Sequence, residues 1–318
     1  ERLLVSLKKH LRRLYNMDMQ TTSTVFMVKP VRFGFNPQTA QSNAFQKKEG
    51  YGIQVQEAAL REFLAYATLL RANGISIALA EDTQEPRTPD SIFPNNWFST
   101  HEDGTLVLYP MAAPNRREER KGHFLEIIKK NFKVTRTVDL THYEEEGLFL
   151  EGTGSMILDR ENKIVYACRS PRTDMKVLDD FCTQLGYTPV TFESVDRNGQ
   201  QIYHTNVMMC VGTAYAIVCL ESIADPQERE NVVTSLEKSG KKIIEITFDQ
   251  VNKFAGNMLE LRNGEGKKFL VMSATARKSL TSEQNRELSK TYRLLSPQLE
   301  TIETNGGGSA RCMLAEIF

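Results

Sequence analysis

Cys312, His204 and Glu151 are the residues of this chain best suited to covalent chemistry. The cysteine follows a glycine run in "TNGGGSARCMLAEIF", the histidine sits in "QIYHTNVMMC", and the glutamate follows three apolar residues in "LFLEGTGSMIL". A thiolate attacks an electron-poor carbon, an imidazole moves protons, and a carboxylate holds the imidazole in one tautomer. Each stretch also has a plainer reading. The glycine run could be a mobile tail, the histidine a satisfied structural residue, and the glutamate a solvent-facing strand end. The tail reading is weakened by "CMLAEIF", which is apolar enough to be a final strand, and the glycines would let a small substrate approach the thiol. Asn206, two residues after His204, would share one face of a strand with it. In "TPDSIFPNNWFSTHEDG", Asn95 and Asn96 lie between Phe93 and the single tryptophan, Trp97. Amides inside an aromatic run want partners, although Pro94-Asn95 is equally good turn chemistry.

The elements that must position these groups follow a repeating order. Five helical segments start near Val55, Arg117, Thr173, Asp225 and Ser282. Each precedes a β-branched run: "ISIAL", "KVTRTVDL", "TPVTF", "KKIIEITF" and "LETIET". Three hairpins lie between these units, turning at Glu161-Asn162, near Gly212 and at Asn263-Gly264. A fivefold repeat of strands and a helix implies a radial α/β array with strands converging inside and helices outside. An ordinary doubly wound sheet is the alternative, but neither GxGxxG after the first strand nor GxxxxGK[ST] occurs, which removes support for nucleotide-binding versions. No Pro-, Gly- or Ser-rich linker divides the chain, so residues 21–318 read as one catalytic domain. Residues 1–20 read as a basic N-terminal extension, with Leu3, Leu7, Leu11 and Leu14 at helical spacing among Lys and Arg; a basic amphipathic helix or an appended terminus fits them.

The bulk properties narrow the function class. The 318 residues carry 40 basic and 40 acidic side chains. No net field draws the chain to nucleic acid or an anionic membrane, and no apolar run suits a transmembrane helix. Five cysteines, Cys168, Cys182, Cys210, Cys219 and Cys312, contain no CxxC pair. Neither a disulfide framework nor a zinc site is indicated, and a reducing cytoplasm is the expected compartment.

Taken together, "MVKPVRFGFNPQTAQSNAFQ", "FPNNWFSTH", "LEGTGSMILDR", "IYHTNVMM" and "GGGSARCM" resemble the guanidine-modifying enzymes: arginine deiminases, dimethylarginine dimethylaminohydrolases and amidinotransferases. The likeness runs from about Thr24 to Phe318, and the citrulline ureidase branch is the nearest look-alike. The resemblance implies the pentein fold, a five-bladed α/β propeller of pseudo-fivefold ββαβ units. It also implies Cys312 as nucleophile, His204 as acid-base, Glu151 as its orienting carboxylate, and no metal or organic cofactor. Substrate-gripping positions fall on Asp90, Asn95, Asn96 and Asn206. Arginines holding a substrate carboxylate fall on Arg116 or Arg117 and on Arg172.

Asn95, Asn96 and Asn206 stand where such relatives often carry acids. A guanidinium only donates hydrogen bonds, whereas a urea also accepts one, and an asparagine amide offers both a donor and an acceptor. Replacing an acid by an amide forfeits charge-assisted bonds of about 1.5–3 kcal/mol each to a cation, and about 1.4 kcal/mol is tenfold in preference. The expectation is therefore hydrolysis of citrulline to ornithine, carbon dioxide and ammonia. An arginine-directed deiminase or dimethylarginine hydrolase is the enzymatic alternative, and a non-catalytic binding protein of the same fold is the other. The expected partner is a small amino-acid substrate, with no nucleic acid and no membrane; self-association into a homo-oligomer stays open.

Overall fold

The computed structural model describes residues 20–50 and 52–318. The Leu-rich N-terminal helix expected from the sequence lies outside these residues. Gln20, assigned by sequence to the extension, belongs to the fold: its amide nitrogen donates to the carbonyls of Leu158 (2.9 Å) and Val211 (3.1 Å) and its oxygen accepts from the Arg160 N–H (2.7 Å).

The strands form five three-stranded sheets. Four are continuous in sequence and share one plan: an antiparallel hairpin, a helical crossover, then a strand parallel to the second hairpin strand. They are β3 (Phe98–Thr100), β4 (Thr105–Leu108) and β5 (Arg136–Asp139); β6 (Ile157–Asp159), β7 (Ile164–Cys168) and β8 (Thr188–Phe192); β9 (Met209–Val211), β10 (Tyr215–Val218) and β11 (Lys242–Glu245); β12 (Leu259–Arg262), β13 (Lys268–Val271) and β14 (Arg293–Leu295). The fifth is built from both ends of the chain. β1 (Thr24–Lys29) crosses through the helix Gly52–Ala72 to the parallel strand β2 (Ser76–Glu81), and the final strand β15 (Ala315–Ile317) supplies its antiparallel partner. This is the fivefold α/β propeller expected from the sequence.

Local chemistry explains the individual units. The helix Met175–Leu185 starts where Asp174 accepts the Lys176 and Val177 N–H groups, stops at Gly186 in the left-handed region (φ 71°), and buries Val177, Leu178, Phe181 and Cys182. Pro226 and the Asp225 cap start the helix Pro226–Lys238. All three expected hairpins are present, and a fourth, β3–β4, turns at Asp103-Gly104.

One element differs in kind. "LETIET" is not a strand but part of the helix Glu300–Gly306, and the strand is Arg293–Leu295 upstream. The Glu62 carboxylate, on the helix Gly52–Ala72, accepts the N–H groups of Thr301 (2.8 Å) and Ile302 (3.0 Å). That long-range cap satisfies donors a helix start leaves open and overrides the β-branched composition.

The sheets pack through apolar clusters. In one, Phe26 of β1 meets Trp97, Phe98 and Phe124 edge-on at centroid distances of 6.4, 5.4 and 6.0 Å. No helix among the described residues is long and apolar enough to cross a membrane. Phe26 is fully buried between two blades, so Phe26→Ala is expected to lower the unfolding free energy by about 3–5 kcal/mol in urea titrations.

Candidate active site

The first strand of each blade is entered by a short turn, and the five turns meet one another. They are Pro94–Asn96 before β3, Gly152–Ser155 before β6, Thr205–Val207 before β9, Gly256-Asn257 before β12 and Ser309–Cys312 before β15. Side chains link each turn to the next: Thr153 to the Asn95 carbonyl (3.2 Å), Asn206 to the Thr153 carbonyl (3.3 Å), and Asn257 to the Asn206 carbonyl (3.1 Å) and the Arg311 N–H (3.0 Å). Glycine is required where the turns touch. A β-carbon on Gly154 would overlap the Asn96 amide and the His204 ring, and Gly152 adopts φ 46° with the Asn95 carbonyl against its α-carbon.

Residues distant in sequence thereby share one small buried cavity. Its walls include Cys312, His204, Asp90, Asn96, Arg116 and Arg172. Glu151 stands behind His204 and is fully buried. Its Oε2 accepts from His204 Nε2 at 2.8 Å and from Arg172 Nη1 at 3.3 Å, and its Oε1 accepts the Ala112 N–H at 3.0 Å. Cys312 Sγ accepts from the amide nitrogens of Asn206 (3.4 Å) and Asn257 (3.1 Å). Asp90 Oδ2 accepts from Asn36 (2.7 Å) and Thr39 (2.9 Å), while its buried Oδ1 has no partner.

Several sequence expectations change in detail. His204 is not inside a strand but precedes the short helical turn Thr205–Val207, and Glu151, expected at a strand end, precedes the turn Gly152–Ser155. Asn206 follows His204 in the turn Thr205–Val207 rather than by strand alternation; it touches Cys312 Sγ but does not border the cavity. Asn95 is buried but does not border the cavity; its amide nitrogen reaches Thr153 Oγ1 at 3.4 Å. Arg117 points elsewhere, to the Met111 carbonyl (2.9 Å), Glu144 (3.6 Å) and the Phe149 ring, because it is one residue, roughly 100° of helix, from Arg116.

Arg116 and Arg172 border the cavity, but their donors are engaged by protein groups. Arg116 binds Glu119, Asn96 Oδ1 (2.7 Å) and the Phe93 carbonyl (3.0 Å). Arg172 binds Glu151, Ser42 and the Thr39 carbonyl (2.9 Å). The run Gly306–Gly308 is buried rather than open: β-carbons on Gly306 and Gly308 would come 2.8 and 2.9 Å from the Phe93 ring, and Gly307 ends a helix at φ 65°. Asn257 escaped the sequence reading, although "GNML" repeats the polar-then-apolar entry of "TNVMM".

A family profile for N,N dimethylarginine dimethylhydrolase, eukaryotic, matches residues 29–318. The chain belongs to this family of guanidino-group hydrolases. Among solved structures, the N-terminal domain of ArgZ, a cyanobacterial arginine dihydrolase bound to substrate, superposes with a TM-score of 0.72 at 16% identity, covering 92% of this chain and 97% of that one. The dimethylarginine hydrolase (DDAH) of Pseudomonas aeruginosa, complexed with citrulline, gives 0.66 at 14% identity, with 93% and 100% covered. The complex of AgrE with ornithine and NAD+ gives 0.69 at 18% identity; 93% of this chain matches 39% of that longer one. At these identities the superpositions establish the fold alone. No curated protein sequence matches the chain.

In this dimethylarginine hydrolase family member the electrostatics fix one imidazole tautomer. Burial alone would raise the Glu151 pKa, but the Arg172 charge and the His204 hydrogen bond outweigh it and hold the carboxyl well below its usual range. An ionised carboxylate only accepts, so His204 Nε2 carries the hydrogen and Nδ1 keeps a free lone pair. Burial, aided by the Arg172 and Arg116 charges, pushes the His204 pKa down to about 4 against the pull of Glu151. For Asp90 burial dominates and raises the pKa, opposed by Arg116 and the two hydrogen bonds.

An unfolded histidine titrates near 6.5, so between that pH and about 4 the unfolded chain binds the extra proton. The resulting stabilisation is complete above pH 6.5 and is lost as pH falls toward 4. His204→Asn is expected to remove up to about one proton from the slope of unfolding free energy against pH in that window, read from urea titrations at several pH values.

Proposed function

We propose that the chain hydrolyses a ureido amino acid, L-citrulline to L-ornithine, carbon dioxide and ammonia, with Cys312 as nucleophile. The observation that carries the substrate choice is the bond from Arg116 Nη1 to Asn96 Oδ1. It occupies the amide oxygen, while the NH2 group gives one hydrogen to the Glu151 carbonyl (3.5 Å) and keeps the other to offer. A ureido oxygen accepts that donor, whereas a guanidinium has only donors and would meet the Arg116 charge as well. Asp90 Oδ1, on the cavity wall and buried without a partner, supplies an acceptor for a ureido N–H group; Asn206, whose Oδ1 is also unpartnered, stands beside the attacking sulfur.

The chemistry follows from the tautomer. His204 Nδ1 takes the Cys312 proton as the sulfur bonds to the ureido carbon. The protonated ring, stabilised by Glu151, then donates that proton to the ornithine nitrogen as the carbon–nitrogen bond breaks. His204 next takes a proton from water, whose oxygen bonds to the S-carbamoyl carbon. The carbon–sulfur bond breaks, the sulfur recovers its proton, and the released carbamic acid divides into carbon dioxide and ammonia.

A second reading, hydrolysis of arginine or a methylated arginine, is favoured by the free Asp90 carboxylate oxygen and by the family. Release of ornithine and ammonia from citrulline, of citrulline and ammonia from arginine, and of citrulline and dimethylamine from dimethylarginine, assayed in parallel, decides. Citrulline is expected to lead by at least about tenfold in kcat/KM; an equal lead for arginine overturns the substrate choice. Cys312→Ser is expected to abolish turnover with an unchanged unfolding midpoint, and retained activity rules out the nucleophile. Asn206→Asp is expected to move the arginine-to-citrulline ratio of kcat/KM toward arginine by about tenfold or more.

A further inference from the structure

We infer that Asn257 is a positioning residue that holds the Cys312 sulfur against a fixed hydrogen-bond donor, and so keeps it ready to attack. The inference rests on the nucleophile assignment above. Asn257 is buried and does not border the cavity, so it acts through Cys312 rather than on substrate.

Its amide is held at both ends. Oδ1 accepts the backbone N–H groups of Arg311 (3.0 Å) and Cys312 (3.4 Å). Nδ2 donates to the Asn206 carbonyl (3.1 Å) and to Cys312 Sγ (3.1 Å). Turning the amide over would set its NH2 against two N–H donors and its oxygen against a carbonyl oxygen. The sulfur therefore always faces a donor. One side chain thus fixes both the backbone from which the thiol projects and the sulfur itself.

The backbone before Asn257 supports the same placement. A β-carbon on Gly256 would overlap the Val207 carbonyl oxygen and lie 2.8 Å from the Met208 carbonyl carbon. Only glycine lets this turn approach the turn carrying Asn206 closely enough for Asn257 to span it and Cys312. Asn206 donates to the same sulfur at 3.4 Å, but its Oδ1 has no partner, so its amide is anchored at the nitrogen end alone.

The deciding variant in the full chain is Asn257→Asp. It retains an oxygen for both backbone N–H groups and replaces the sulfur's donor by a negative oxygen. Alkylation of Cys312 by iodoacetamide at pH 7, followed by peptide mass, is expected to slow at least about tenfold. The kcat for citrulline should fall by a similar factor, with KM within about twofold, because no substrate contact is lost. Wild-type alkylation and kcat in a folded Asp variant overturn the inference. If the Asp chain does not fold, the same readings on Asn257→Ser decide, since its hydroxyl is too short to bridge backbone and sulfur: slow alkylation supports the role and a wild-type rate overturns it. Alkylation reports on the sulfur whether or not the chain turns over citrulline, so failure of the nucleophile assignment, seen as an active Cys312→Ser, stays distinct from failure here.

Discussion

The site depends on closure of the ring by the two ends of the chain. β15 pairs with β1 through Thr24–Ile317, Val25–Glu316 and Phe26–Ala315, and Cys312 lies in the turn that enters β15. Thr22 and Ile317, hydrogen-bonded at this seam, are 295 residues apart in sequence. Closing a flexible loop of that length costs on the order of 5 kcal/mol in chain entropy. The seam offsets this with ladder bonds, with Thr100 Oγ1 donating to the Glu316 carbonyl (2.9 Å) and accepting the Phe318 N–H (3.1 Å), and with the Phe26 cluster beside it. The thiol consequently shares a cavity with His204 only in a chain whose five blades have assembled.

Within the closed ring, charge burial sets the second constraint. Glu151 is fully buried and ionised, a state that is strongly unfavourable without partners. Arg172 and His204 are those partners, and Arg172 also binds Ser42 and the Thr39 carbonyl in the loop after β1. The same loop places Thr39 and Asn36 on Asp90 and joins the segment before Cys312, where Lys47 N–H meets the Thr304 carbonyl (2.7 Å) and Gln46 the Asn305 carbonyl (2.9 Å). The arginine expected to grip a substrate carboxylate thus serves the imidazole's carboxylate and the cover of the cavity together. Four of its five N–H groups are spent on these protein partners, which leaves one on Nη1.

Asparagine is prominent at this centre because each amide supplies a donor and an acceptor at no net charge. Asn36, Asn96, Asn206 and Asn257 make side-chain bonds to Asp90, Arg116, Cys312 and neighbouring backbone. Their orientation is imposed by what they touch: Arg116 fixes the oxygen of Asn96, and two backbone N–H groups fix that of Asn257. An amide's type is visible in sequence, but the end it presents to a ligand is decided by its neighbours.

By itself the sequence determined the repeat, and with it the fold: hairpin and helix signals act over a few residues, so "NKIVYAC", "TAYAIVCL" and Asn263-Gly264 declare themselves locally. It also displayed the reactive residue types, Cys312, His204 and Glu151, with the amides of "PNN" and "HTN". Tertiary structure alone decided which of them meet. "LETIET" became a helix because Glu62, far away in the chain, caps it; Arg116 turned inward and Arg117 outward by one step of helix; Asn257 joined the site because Gly256 allows two turns to touch. The cap on the last helix and the touching turns rest on contacts between segments far apart in sequence, and the energy of such a contact has no counterpart in the short-range pattern of residues from which a sequence is read.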